Sequence, residues 1–296
     1  MDDFSIHYIK TGEATLFARV GGSGPPILLL HGFPETHIMW REIAPLLART
    51  FTVVVADLHG YGRSGCPPTT ADHSAYSKRS MGNNMVKLMR QLGFTRFAVV
   101  GHDRGARVAY RMALDHPDSI ERLVVCDIVP TGIAWEKADA RMMLGFWPWS
   151  VLAQPSPLPE RILVTHARDI VDNACDKWGS SPDTFPPEIR RIYSVSLSDP
   201  ERAHAVCEEY RAATTLDRRH DDRDLQEGRT IECPVLVLWG TEGAIDTWYE
   251  EEGGPVALWK AVAPQATGEA LPGGHFFPEE NPSGMLEKLV TFLPSR

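Results

Sequence analysis

The chain has 296 residues, 43% of them hydrophobic, enough for one large domain or one domain with an insertion. Its formal net charge of −9 argues against nucleic acid or an anionic membrane as partner, and implies that an anionic substrate would need a local cationic clamp. Five scattered cysteines (Cys66, Cys126, Cys175, Cys207, Cys233) without CxxC spacing read as free thiols of a reducing compartment.

The start, Met1-Asp2-Asp3-Phe4, is acidic and no basic region leads into an apolar run. Neither a signal peptide nor a membrane span is expected, and the chain reads as cytoplasmic. Residues 4–20 hold short apolar segments around Thr11-Gly12 that suit a hairpin. After the turn cluster Gly21–Pro26, the wholly apolar run Ile27–Leu30 reads as a strand buried on both faces. A helical stretch around Met39–Leu47 separates it from a second run, Phe51–Ala56. Helix is predicted over 82–92, strand at Phe97–Val100, helix at Gly105–Leu114 and strand at Leu123–Asp127. This alternation predicts an α/β fold, a mostly parallel sheet with helices on both faces.

The rhythm breaks after Val129-Pro130-Thr131. Residues 132–225 are rich in Trp, Met, Pro and charge and contain no convincing buried strand, so they read as a helical insertion. The pattern resumes with the strand Cys233–Gly240. Helix is expected over 256–263, then a loop carrying Pro272-Gly273-Gly274-His275, then a last helix over Ser283–Phe292. Residues 1–131 and 226–296 thus form one core domain and 132–225 a second, helical cap domain. Gly60-Tyr61-Gly62-Arg63-Ser64-Gly65 matches the bare G-x-G-x-x-G string, but Cys66-Pro67-Pro68 follows where a helix should open. A turn is the better reading. The remaining histidines show no zinc-ligand spacing, so no metal and no cofactor is expected.

Chemistry concentrates at Phe97–Gly105, a buried strand running into Gly101-His102-Asp103-Arg104-Gly105. That is the strand–turn–helix form of a nucleophile elbow, with a carboxylate in the nucleophile's place. An aspartate before a helix is ordinarily a helix cap. The flanking glycines, the apolar strand and the later Gly-Gly-His favour the nucleophile. A carboxylate is ionised at neutral pH and suits displacement at saturated carbon, leaving an ester that water must cleave. His275 is placed to activate that water. The acid that orients it is Asp127, at the end of the Leu123–Cys126 strand, with Glu242 and Asp246 as alternatives. Backbone N–H groups of Phe33 and Arg104 are the expected oxyanion donors. Arg104 and Arg107, three apart on the helix after the elbow, can lower the Asp103 pKa and grip a carboxylate, unless they pair with Glu208 or Glu209.

His31-Gly32-Phe33-Pro34, Asp57-Leu58-His59-Gly60-Tyr61-Gly62-Arg63-Ser64, the Asp103 elbow and Gly273-Gly274-His275 together resemble the α/β-hydrolase fold. Asp103-Arg104-Gly105-Ala106-Arg107, Asp127 and Trp149–Pro155 resemble the haloacetate dehalogenases, including fluoroacetate dehalogenase. The resemblance implies a small anionic haloacid substrate, a homodimer, and Arg104 and Arg107 as carboxylate binders. It also implies Trp149 as halide donor. The family's halide histidine falls on Pro148 and its tyrosine near Thr215, so chloroacetate is expected to be favoured over fluoroacetate. Two rivals stay open. An epoxide hydrolase of the same fold would use Tyr193 and Tyr210 as acids. A non-catalytic binding protein would leave Asp103 inert.

Overall fold

Eight strands form one sheet in the order β1-β2-β4-β3-β5-β6-β7-β8. They are β1 (Ser5–Lys10), β2 (Thr15–Gly22), β3 (Pro26–Leu30), β4 (Thr52–Ala56), β5 (Phe97–His102), β6 (Ile120–Cys126), β7 (Val235–Gly240) and β8 (Thr267–Leu271). β2 pairs antiparallel with both β1 and β4, and every other pairing is parallel. The structure, a computed structural model, describes residues 1–293 apart from Asp2 and Glu13; residues 294–296 of the expected core segment lie outside it.

The apolar runs make the central strands because alternate residues feed two cores. Leu28, Leu30, Val54, Ala56 and Val99 face one hydrophobic cluster, while Ile27, Leu29, Val53, Val55, Ala98 and Val100 face the other. Burying each such side chain stabilises by about 1.5–3 kcal/mol, which is why the run needs no polar face. Strand β8, Thr-Gly-Glu-Ala-Leu, is not predicted from its composition. It lies at the sheet edge with an alternately exposed side, so no apolar run announces it.

Helices α1 (Ala44–Leu47), α2 (Lys78–Gln91) and α3 (Asp103–Asp115) join the first strands. The stretch predicted as one helix around Met39–Leu47 is broken. A 3₁₀ turn at His37–Arg41 precedes α1, whose second residue is Pro45. Between β6 and β7 the chain is helical, with α4 (Thr131–Glu136), α5 (Ala140–Gly145), α6 (Pro148–Val151), α7 (Leu158–Lys177), α8 (Pro187–Leu197), α9 (Pro200–Ala212) and α10 (Arg218–Gln226). A π-helical turn, Ala213–Asp217, joins α9 to α10. Then come α11 (Ala244–Trp248), α12 (Pro255–Trp259, shorter than predicted), α13 (Phe277–Glu280) and α14 (Pro282–Phe292). Among the described residues no helix is long and apolar enough to cross a membrane.

The chain leaves β3 toward β4 on one side and enters β5 on the other. The carboxyl ends of β3 and β5 therefore flank the topological switch point, where open α/β sheets bind ligands.

Candidate active site

Strand β5 ends at His102 and α3 begins at once with Asp103, whose φ of 41° lies in the left-handed region. This turn costs backbone energy for a non-glycine residue, of order 1–3 kcal/mol. It is tolerated because the neighbours are glycine. A Cβ on Gly101 would sit 2.6 Å from the Ala106 backbone, and one on Gly105 would sit 2.4 Å from the His31 carbonyl oxygen. Asp127, one residue past β6, also has a positive φ, 54°. The two strained carboxylates thus leave the ends of adjacent parallel strands.

Asp103 is 7% exposed, and its Oδ2 accepts the Phe33 N–H at 3.1 Å. Its Oδ1 makes no hydrogen bond among the described residues. The Arg104 N–H lies in the first turn of α3, where no intrahelical acceptor exists. His275 presents Nδ1 to Asp127 Oδ2 at 2.6 Å, and Asp127 Oδ1 accepts the Gly240 N–H at 3.1 Å. Nδ1 is therefore engaged, which leaves Nε2 for chemistry. The imidazole is wedged by Phe146, Trp178 and Phe276, with ring centroids 5.6, 5.4 and 4.9 Å away. Among the described residues Glu242 and Asp246, the alternative acids, make no hydrogen bond or ion pair with it. The Asp246 carboxylate instead accepts the Trp239 indole N–H at 2.7 Å.

Burial works against charge on Asp103. Nevertheless His275, Arg104, Arg107 and His102 outweigh it and hold the carboxyl below its ordinary pKa. His102 is a residue that sequence reasoning passed over. Burial pushes its pKa down, but Glu35, Asp103 and the His275 carbonyl raise it to about 9. Its ring bridges Glu35 Oε2 and the His275 carbonyl, both at 2.8 Å, while the same Glu35 oxygen accepts the Gly32 N–H at 3.1 Å. The pair therefore ties the Gly32-Phe33 turn to the His275 loop beneath the elbow. Only the adjacency to Asp103 signals it in the sequence, and the partner is 67 residues away.

The two arginines are both fully buried yet differently engaged. Arg104 pairs with Glu209 of α9 at 2.6 Å, and Tyr210 lies over its guanidinium at 4.1 Å. Arg107 has no carboxylate partner among the described residues. Its Nη1 donates to the Val129 carbonyl at 3.1 Å and Thr131 Oγ1 at 3.0 Å, and its Cζ lies 4.5 Å from the Trp149 ring centroid. Burial first and Arg104 second lower the Arg107 pKa.

A small cavity is lined by Asp103, Phe146, Pro148, Trp149, Trp178, Tyr210 and His275. The Trp149 indole N–H and the Tyr210 hydroxyl make no hydrogen bond among the described residues, so two donors are free at its wall. The expectation at Thr215 is corrected. Thr215 Oγ1 donates back to the Arg211 carbonyl at 2.8 Å, and the tyrosine that reaches the cavity is Tyr210. Pro148 is on the wall and brings no donor. A larger cleft of about 560 Å³ shares Phe146, Trp178 and His275 with this cavity, giving the imidazole a second, solvent-side face.

The alpha/beta hydrolase fold family matches residues 25–282. A fluoroacetate dehalogenase from Burkholderia sp is 41% identical over 293 residues, spanning 99% of this chain and 94% of that protein. A soluble epoxide hydrolase from a Corynebacterium species is 28% identical over 306 residues, 99% of this chain and 95% of that one. A crystal structure from Nostoc sp PCC 7120, described as an alpha/beta hydrolase, is 42% identical with a TM-score of 0.95, covering 100% of this chain and 99% of its own.

Proposed function

The chain belongs to the alpha/beta hydrolase fold family, and on that premise we propose that it is a dehalogenase of short 2-haloacids. The observation that carries this reading is the buried carboxylate at the elbow, Asp103, set beside a buried arginine, Arg107, that has no carboxylate partner among the described residues. The 41% identity to a fluoroacetate dehalogenase supports it. Residues 132–225 act as the cap, supplying Pro148, Trp149 and Tyr210 to the wall above Asp103. The same reading places a homodimer in the cytoplasm.

The reaction runs in two steps. Asp103 Oδ1 attacks the α-carbon, the carbon–halogen bond breaks, and halide leaves toward the Trp149 and Tyr210 donors. Arg107, with the unpartnered Nη1 of Arg104, holds the substrate carboxylate. His275 Nε2 then takes a proton from water while its oxygen adds to the Asp103 ester carbonyl. The N–H groups of Phe33 and Arg104 stabilise the oxyanion. Collapse releases the 2-hydroxyacid, which takes the proton from His275, and the second water proton, left on the Asp103 carboxyl, passes to solvent and restores the carboxylate. Halide release from fluoro-, chloro- and bromoacetate tests the reading, and no release from any of the three ends it.

Arg107→Met is expected to raise KM for chloroacetate about 100-fold, the loss of a charged hydrogen bond worth about 2–3 kcal/mol, with a smaller change in kcat. Neutral chloroacetamide serves as the control and should not follow.

Fluoride needs the strongest donors as it forms, so the wall bears on the choice of halogen. With Tyr210 in place, only the Pro148 position lacks a donor, and chloroacetate remains favoured over fluoroacetate for that reason. Pro148→His should raise fluoride release about tenfold and chloride release much less. Equal gains for both halides would remove the donor argument.

An epoxide hydrolase would need two tyrosines on the wall. The Tyr193 hydroxyl is buried and donates to Glu279 Oε1 at 2.8 Å, so it is occupied elsewhere.

A further inference from the structure

Arg104 is claimed before any substrate arrives. Its Nε donates to Glu209 Oε1 at 2.7 Å, and its Nη2 lies 2.6 Å from the same oxygen. Lys78 Nζ, at the start of α2, donates to that oxygen too, and the Tyr61 hydroxyl reaches Glu209 Oε2 at 3.2 Å. Arg104 and Glu209 are each 0% exposed and Lys78 is 1% exposed. One carboxylate from α9 therefore takes two cations from the core, out of reach of screening by water or salt. Glu209 occupies the Nε–Nη2 edge of Arg104, one of the two edges that could grip a substrate carboxylate, and leaves Nη1 without a partner.

Next, the charges around the nucleophile. Lys78, Arg104 and Arg107 are positive; Asp103 and Glu209 are negative. Among these five groups alone one positive charge is in excess; the further carboxylate Asp127 is engaged by His275 and the Gly240 N–H. Asp217 accepts the Lys78 backbone N–H at 2.8 Å and its Oδ2 lies 3.8 Å from Lys78 Nζ, while burial pushes its carboxyl toward the neutral form. The His102–Glu35 pair is self-cancelling.

We propose that Glu209 is a charge-setting, positioning residue. It holds down the anion affinity of the site by taking up Arg104 and Lys78, so that Arg107 supplies the grip and a product anion can leave. Were both arginines and Lys78 uncompensated, substrate and product carboxylates would both bind more tightly, and uniform tightening does not speed turnover. This rests on the haloacid reading above, and its test is independent of turnover.

Acetate and its neutral analogue acetamide are titrated calorimetrically into the full chain. Glu209→Gln, which adds one unit of positive charge, should tighten acetate about tenfold, and Lys78→Met should weaken it about tenfold, as expected for a charge several ångströms away at the effective dielectric of a protein interior. The double variant restores the sum and should return acetate affinity near the parent's. Glu209→Asp keeps the charge and should behave like the parent, and acetamide should move in none of them. Should Glu209→Gln fail to fold, the Lys78→Met variant and the double variant carry the test alone. Acetate affinity that does not change in Lys78→Met, or that falls in the double variant as far as in Lys78→Met, overturns the proposal. So does acetamide tracking acetate, the mark of a purely structural role. A parent that binds acetate but releases no halide overturns the haloacid reading and leaves the charge argument standing.

Discussion

Asp103→Asn is expected to abolish multiple-turnover halide release, lowering kcat by about 10⁴-fold or more, as loss of a covalent nucleophile does elsewhere. The amide cannot displace halide from carbon. The substitution is conservative for the fold. Asparagine tolerates the left-handed backbone that φ of 41° requires, and its side-chain oxygen can still accept the Phe33 N–H. A circular-dichroism melt should therefore show a folded protein, separating lost chemistry from lost structure. In the parent enzyme, a single turnover in oxygen-18 water with enzyme in excess should place the label in the Asp103 carboxyl and not in the product. Because the neighbouring cations outweigh burial and depress the Asp103 pKa, the carboxylate stays charged through the ordinary range. Its charge is lost only as pH falls through the depressed value, so halide release in a single turnover should stay flat across the range in which an ordinary carboxylate titrates. Full turnover by the asparagine variant, or label going straight into product, would falsify the covalent route.

The elbow is legible because everything that makes it is local. Gly101, Asp103 and Gly105 lie within five residues, and the strand before them is uniformly apolar. The pairing of Asp127 with His275 spans 148 residues. It is anticipated only because a parallel sheet sets successive strand ends side by side, β6 next to β7 and β7 next to β8. Where two distant segments meet without a strand to fix both, the sequence offers at most an alternative, as it does in naming Glu208 or Glu209 as possible partners of the arginines. The Glu209 claim on Arg104 crosses 105 residues, and the His102–Glu35 pair joins the end of β5 to the loop after β3. Tyr210 shows a second kind of failure. Counting along the chain points to Thr215, yet five residues on an α-helix turn the side chain by roughly 140°. The helix also widens into a π turn over Ala213–Asp217, so no simple periodicity carries across that stretch. Strand β8 fails for the opposite reason, since an edge strand has little apolar surface to bury.

His275→Asn should separate the two halves of the cycle. Alkylation needs only the ionised Asp103, because a carboxylate requires no base to attack carbon. Removing the imidazole takes away one influence that opposes burial at Asp103, yet Arg104, Arg107 and His102 remain, so the carboxylate stays ionised and halide should still leave once. The second half has no substitute base. Asp127 is turned toward the lost ring and the Gly240 N–H, and no other imidazole lines the cavity. Steady turnover should therefore fall about 10²- to 10⁴-fold, the usual contribution of a general base. Before that slow phase, chloroacetate should give a burst of one halide per active site. Mass analysis of the peptide carrying Asp103 should then find it esterified by the acid's carboxymethyl group. A serine-type enzyme behaves otherwise, because its histidine is needed before the nucleophile can act at all. A His275 variant with no burst and no adduct would show that the imidazole serves the first step, and the division of labour between Asp103 and His275 would have to be redrawn.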